Sequence, residues 1–84
     1  MDYNIDTLNN IKSGMTVIVR EIRGGKNVRN RLMEMGIIEG ASIHVVTNSG
    51  GPLIILVGKS RFAIGQGIAQ KILVNILRND VSQD

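Results

Sequence analysis

Ile43 and Val45 alternate with Ser42 and His44, and Ile72, Val74 and Ile76 alternate with Leu73 and Asn75. A period of two puts successive side chains on opposite faces, so both stretches are expected to be half-buried strands. Met15 to Arg23 is equally rich in β-branched residues but changes face, with Val17 and Val19 in one phase and Ile18 and Ile22 in the other. That switch predicts a bulge near Arg20. Leu53 to Val57 and Ser60 to Ile64 flank the loop Gly58-Lys59, and a glycine in the first loop position suits a type II′ hairpin turn. Pairing Val57 with Ser60 gathers Leu53, Ile55, Val57, Phe62 and Ile64 on one face. Ile54 and Leu56 then lie with Arg61 and Ala63 on the other.

One segment follows the longer period of a helix. Val28, Leu32 and Met35 stand at i, i+4 and i+7, the stripe of a short amphipathic helix, with Asn27 as an acceptable N-cap. Gly36 ends it. With Gly36 left-handed just past the helix, Leu32 and Ile37 become the apolar pair of a Schellman stop. Arg29, Asn30, Met33 and Glu34 form the opposite face. All ten glycines lie between Gly14 and Gly67, where they separate the segments. Gly40 marks a turn, and Gly65 and Gly67 read as bends entering the last strand. The apolar supply is too small for two stacked sheets. The expected architecture is therefore mainly β: a small, partly open SH3-like barrel of about five strands with one short helix after the first strand. One domain is expected over 1–84, with its core at 8–77 and frayed ends that include Tyr3 and an acidic tail, 78–84.

Charge sharpens the picture. All ten Lys and Arg fall between Lys12 and Arg78, where the only acids are Glu21, Glu34 and Glu39, whereas Asp2, Asp6, Asp80 and Asp84 occupy the ends. The body is strongly basic and favours anionic or acidic partners. There is no cysteine, which removes disulfides, thiol nucleophiles and thiolate metal sites. No apolar run exceeds the five residues Leu53 to Val57, against the roughly 20 that a spanning helix needs. The acidic start lacks the basic region of a secretory signal. A cytoplasmic protein is expected.

Several familiar motifs fail on inspection. LVGKS resembles the end of a phosphate-binding loop, but Leu53 stands where the first glycine is needed. GQGIAQ places Gln70 where a dinucleotide fingerprint has its third glycine. His44 is the only histidine, and with Glu39 it makes too few ligands for a selective transition-metal site. The body carboxylates form no acid and base pair, so no enzyme, catalytic residue, metal site or cofactor is expected. Arg20, Arg23, Lys26, Arg29 and Arg31 place five cations in twelve residues beside Glu21 alone. This leaves open an RNA-binding small barrel, although two aromatics, Tyr3 and Phe62, give no stacking platform.

NRLMEMGIIEG, followed by IHVV, PLIILVGKSRFAI and IAQKILV, resembles the FeoA family of ferrous iron transport protein A domains. The matching positions are Arg31, Leu32, Met35, Gly36, Ile37, Ile38 and Gly40, then Gly58, and finally Ala69, Ile72 and Val74. The likeness runs from about Leu8 to Leu77. Asn30 stands where the family has the first of two arginines, and Glu39 where proline often precedes the glycine. The resemblance implies a non-catalytic accessory protein acting with the cytosolic GTPase part of a membrane ferrous iron transporter. DNA is not an expected partner, because the chain has no room for a helix-turn-helix module. The partner surface is expected on the exposed helix face and the outer hairpin face, at Arg29, Met33, Ile54, Leu56 and Arg61. Leu32, Gly36, Ile37, Gly40 and Gly58 are expected to be structural.

Overall fold

Every buried side chain among the described residues is aliphatic, and none is polar or charged. The computed structural model describes residues 3–77, so the acidic tail lies outside the described residues. In chain order the elements are β1 (Tyr3–Thr7), a 3₁₀ turn (Leu8–Asn10), β2 (Thr16–Ile22), α1 (Lys26–Glu34), β3 (Ser42–Thr47), β4 (Leu53–Val57), β5 (Ser60–Ile64), α2 (Gln66–Ala69) and β6 (Ile72–Leu77). The strands form one antiparallel sheet in the order β1-β6-β2-β3-β4-β5. β1 and β5 are its edges, and no pairing between them closes a barrel.

The mainly β architecture agrees with expectation, but six strands replace about five. The added strand is β1, which pairs with β6 from Tyr3↔Leu77 to Thr7↔Leu73. Its sequence, YNIDT, alternates Tyr3 and Ile5 with Asn4 and Asp6, but only two apolar residues carry that pattern, and the ladder to β6 fixes the strand. Tyr3 is thus in a strand and not in a frayed end, and α1 follows the second strand rather than the first. Gly65 and Gly67 do more than bend the chain: Gly65 caps a four-residue helical turn that sends Ala69 into the core.

Within β2, a register shift between Val19 and Glu21 supplies the expected bulge at Arg20. Its effect is to bring Ile22 onto the buried side with Val17 and Val19, while Ile18 stays 38% exposed. The β4–β5 hairpin has the expected register, Val57↔Ser60 through Leu53↔Ile64. Gly58 has φ +63°, and among the described residues no non-glycine residue, Lys59 included, has positive φ; positive φ at Gly58 but not at Lys59 is what a type II′ turn requires. Ile43, Val45, Leu53, Ile55, Ile72 and Val74 complete the inner face, which Leu32 and Ile37 cover from one side and Leu8 and Ile11 from another. Phe62 is only half-buried against them.

The helix starts two residues earlier than its N-cap signal indicates. Gly25, in extended conformation, is the N-cap, and its carbonyl accepts from Arg29 N–H at 3.1 Å. Asn27 lies inside the first turn, displaced because the bend at Gly24 (φ +131°) already starts the helix. The C-terminal stop is as expected. Gly36 has φ +85°, its N–H donates to Met33 O at 2.9 Å, and Ile37 N–H donates to Leu32 O at 2.9 Å, the two bonds of a Schellman motif. Gly40 (φ +90°) then donates to Val19 O at 2.8 Å and aims the chain into β3.

The far end of the sheet is tied by a side chain with no motif to announce it. Asn48 Nδ2 donates to the carbonyls of Asn9 (2.9 Å) and Ile11 (2.7 Å), and its backbone N–H donates to Ser13 Oγ (2.8 Å). Gln66 Nε2 reaches Asn48 Oδ1 (3.3 Å) and the Gly51 carbonyl (2.7 Å). Three connections are thereby held together. Asn48→Asp replaces the amide donor by an acceptor facing two carbonyls and is expected to cost roughly 1–3 kcal/mol in urea unfolding. Gly36→Ala should cost about 1 kcal/mol or more from left-handed strain, since an added Cβ would meet only Val57 Cγ1 at 3.4 Å. Gly67→Ala, with ordinary φ and open space around it, should be neutral or stabilising. Equal midpoints for Gly36→Ala and Gly67→Ala would show that the helix stop carries no strain.

Candidate functional site

The Schellman stop fixes the surface beside it. Leu32 and Ile37 are both buried, which forces their neighbours Met33 and Ile38 outward, to 58% and 50% exposure. Met33, Ile38 and the buried Ile37 line a groove of about 380 Å³ with Ile22, and Arg29 and Glu39 stand on its rim. Arg29 Nη1 donates to the Ile22 carbonyl at 3.1 Å, anchoring the guanidinium to the end of β2. One donor of five is used, so the others remain available to an acceptor on a bound molecule. The one ion pair among the described residues is Arg23 Nε to Glu21 Oε2 at 3.6 Å, an exposed contact of small energetic weight. Arg29 and Glu39 therefore present charge of both signs beside an apolar floor.

The structure separates the expected partner residues into two groups. Arg29 and Met33 share the groove. Ile54, Leu56 and Arg61 lie on the outer face of the hairpin, where Leu56 faces Arg61 on one side and His44 on the other, and Ile54 faces Ala63. Ile54 and Leu56 are half-buried rather than open, because adjoining strands of the curled sheet cover part of each. His44 is half-buried as well, with Nδ1 2.8 Å from Thr16 Oγ1. Ile38, a matching position of the family motif but not among the expected partner residues, joins the groove. The signal was there: two isoleucines follow Gly36, and only the first can make the Schellman contact. A second exposed apolar pair, Ile5 (51%) and Ile18 (38%), flanks Asn75 across the β1–β6–β2 ladder.

Chemically, the groove offers an apolar floor between charges of both signs. Among the described residues no three His, Cys, Asp or Glu side chains gather as a metal set, and the groove holds one carboxylate and no nucleophile. No described helix is long and apolar enough to cross a membrane.

An open, single-layer antiparallel sheet with one nine-residue helix, one helical turn and an apolar, charge-rimmed groove defines a small SH3-like β domain. Residues 7–76 match the FeoA domain family, and the chain belongs to that family. A relative from Methanocaldococcus jannaschii, carrying the name of an Fe(2+) transport protein A, is 44% identical over 63 residues, covering 75% of this chain and 77% of the relative. The crystal structure of an iron uptake regulatory protein, FeoA, superposes with a TM-score of 0.82 at 43% identity, over 88% of this chain and 99% of that one. FeoA of Stenotrophomonas maltophilia, a prokaryotic SH3 domain protein complexed with zinc, gives a TM-score of 0.73 at 26% identity, over 81% and 87% of the two chains.

The donor inventory of this chain generates a direct expectation. Anaerobic calorimetry with Fe(II) or Zn(II) should show no one-to-one site of micromolar or better affinity, a scale of about 8 kcal/mol. A saturable stoichiometric site of that strength would contradict it.

Proposed function

We propose that the chain is a non-catalytic accessory protein of ferrous iron uptake, working in the cytoplasm by binding the cytosolic GTPase part of a membrane iron transporter. Membership of the FeoA family supports the link to ferrous iron transport. The observation that carries the binding role is the groove, where Met33 and Ile38 are half or more exposed beside Arg29 and Glu39. Methionine is unbranched and adapts its shape to an apolar partner, and a paired charge rim supplies orientation and association rate. Arg29 and Met33 form the principal contact in this reading. Ile54, Leu56 and Arg61, on the outer hairpin face, give a separate and less open patch.

A second reading, binding of RNA, rests on the exposed cations Arg20, Arg23, Lys26, Arg29 and Arg31. It accounts for the charge but not for the exposed methionine and isoleucine.

The test is affinity for the purified cytosolic domain of the transporter, with and without guanine nucleotide. Met33→Glu combined with Ile38→Glu should weaken binding about tenfold or more while leaving the unfolding midpoint nearly unchanged, since both side chains are already largely in water. Wild-type affinity in a folded double variant would remove the groove from the interface. Salt-sensitive binding of single-stranded RNA, lost in Arg29→Glu, together with no binding of the transporter domain, would replace the first reading by the second.

A further inference from the structure

Strand β5 ends the sheet, and its outer edge has no strand beside it. The two-residue hairpin loop makes Val57↔Ser60 the hydrogen-bonded pair next to the turn, and the ladder alternates from there. Ser60, Phe62 and Ile64 thus direct their N–H and C=O groups at β4. Arg61 and Ala63 direct theirs outward. The edge therefore offers two N–H and two C=O groups at the spacing of an added strand.

A second pocket, of about 360 Å³, opens along the same edge. Its wall includes the consecutive residues Phe62, Ala63 and Ile64, which belong to both phases of the strand. A pocket on one face of a strand would meet only alternate residues, so this one runs along the backbone edge itself. Opposite stand Leu32 and Met35 of α1, with Ile68 from α2, and the Arg31 side chain also lines it. The charge around the edge has one sign. Lys59 and Arg61 lie on the hairpin, Arg31 lies in the pocket wall, and neither the hairpin nor the pocket contains an acid. The only ion pair among the described residues engages none of these cations. The other free edge, β1, carries Asp6 and no cation within the strand.

We propose that β5 is a strand-addition site for an extended segment of a partner protein in which acidic and apolar residues alternate. Period two sets the pattern. Residues of the incoming strand on the inner phase, that of Phe62 and Ile64, enter the pocket between β5 and α1, and those on the outer phase stand beside Arg61. Main-chain hydrogen bonds to Arg61 and Ala63 provide the common affinity, and the alternation provides the specificity. The site is separate from the Met33 and Ile38 groove, and its test does not involve the transporter.

The probe is a blocked, fluorescent heptapeptide, Glu-Val-Glu-Leu-Glu-Val-Glu, titrated with the full-length chain. Three control peptides are compared: one with Lys for Glu, one of the same composition with the four Glu together, and one N-methylated on alternate amides so that one edge cannot bond. The alternating acidic peptide should bind about tenfold or more tightly than each control. It should also slow hydrogen exchange at the Arg61 and Ala63 amides. Arg61→Glu should reverse the preference between Glu and Lys peptides. Ala63→Pro should abolish binding, because it removes an outward N–H and leaves the β4 ladder intact. If Ala63→Pro does not fold, the N-methylated peptide makes the same test on the unaltered protein. Comparable binding of the N-methylated or the shuffled peptide overturns the proposal, as does no binding at about 1 mM. It is equally overturned if the free chain already protects the Arg61 and Ala63 amides, because residues 78–84 or a second copy would then occupy the edge.

Discussion

The hydrogen bond from Ile37 N–H to the Leu32 carbonyl, closed across a left-handed Gly36, is the constraint on which the candidate surface depends. It ends α1 after nine residues and turns both Leu32 and Ile37 into the core. Their immediate neighbours then have no room inside. Met33 and Ile38 emerge on either side of the stop, and the groove between them is a direct result of a backbone turn that only a residue free of Cβ strain adopts easily. Arg29, one turn earlier on the helix, bonds back to Ile22 and joins the end of β2 to the same surface. Fold and candidate site are set by one local event.

The core behind this surface is made of aliphatic residues, and the one buried side-chain polar atom without a partner among the described residues is Asn75 Oδ1. Such a core gives little directional information, so the arrangement of strands falls to hydrogen-bonded register and to turns. The bulge at Arg20, the type II′ turn at Gly58 and the Asn48 amide between three connections perform that task. The sheet curls but does not close, which leaves edges at β1 and β5. Open edges are hazards for association unless something protects or uses them. In this chain β1 is a short strand carrying Asp6 and no cation, and β5 is cationic and flanked by a pocket. The two edges are chemically unlike.

Much of this was legible from residue spacing. The alternation of Ile43 and Val45 and of Ile72, Val74 and Ile76, the hairpin register, the bulge and the glycine stop all follow from local rules, and each holds in three dimensions. What the sequence concealed depends on partners far along the chain. YNIDT becomes a strand because β6 offers a ladder, and Asn48 becomes a hub because Asn9, Ile11 and Gln66 arrive from elsewhere. Of the five expected surface residues, Arg29 and Met33 share the groove. Ile54, Leu56 and Arg61 lie apart from it, since sheet curvature and not strand phase governs how much of a hairpin's outer face stays open. Ile38 is legible only by exclusion: once Ile37 takes the Schellman contact with Leu32, the next isoleucine is left to solvent.

Membership of the FeoA family ties the chain to ferrous iron transport, and the proposed contact at the groove gives that role a surface. The most direct test of the account is methyl NMR on protein labelled at methionine and isoleucine, titrated with the cytosolic domain of the transporter. The account predicts that Met33 and Ile38 resonances shift and broaden first, with Ile5, Met15 and Ile18 unaffected. Perturbation centred on Ile5, Met15 and Ile18, with Met33 and Ile38 unchanged, would contradict it and move the interface to the outer face of the sheet.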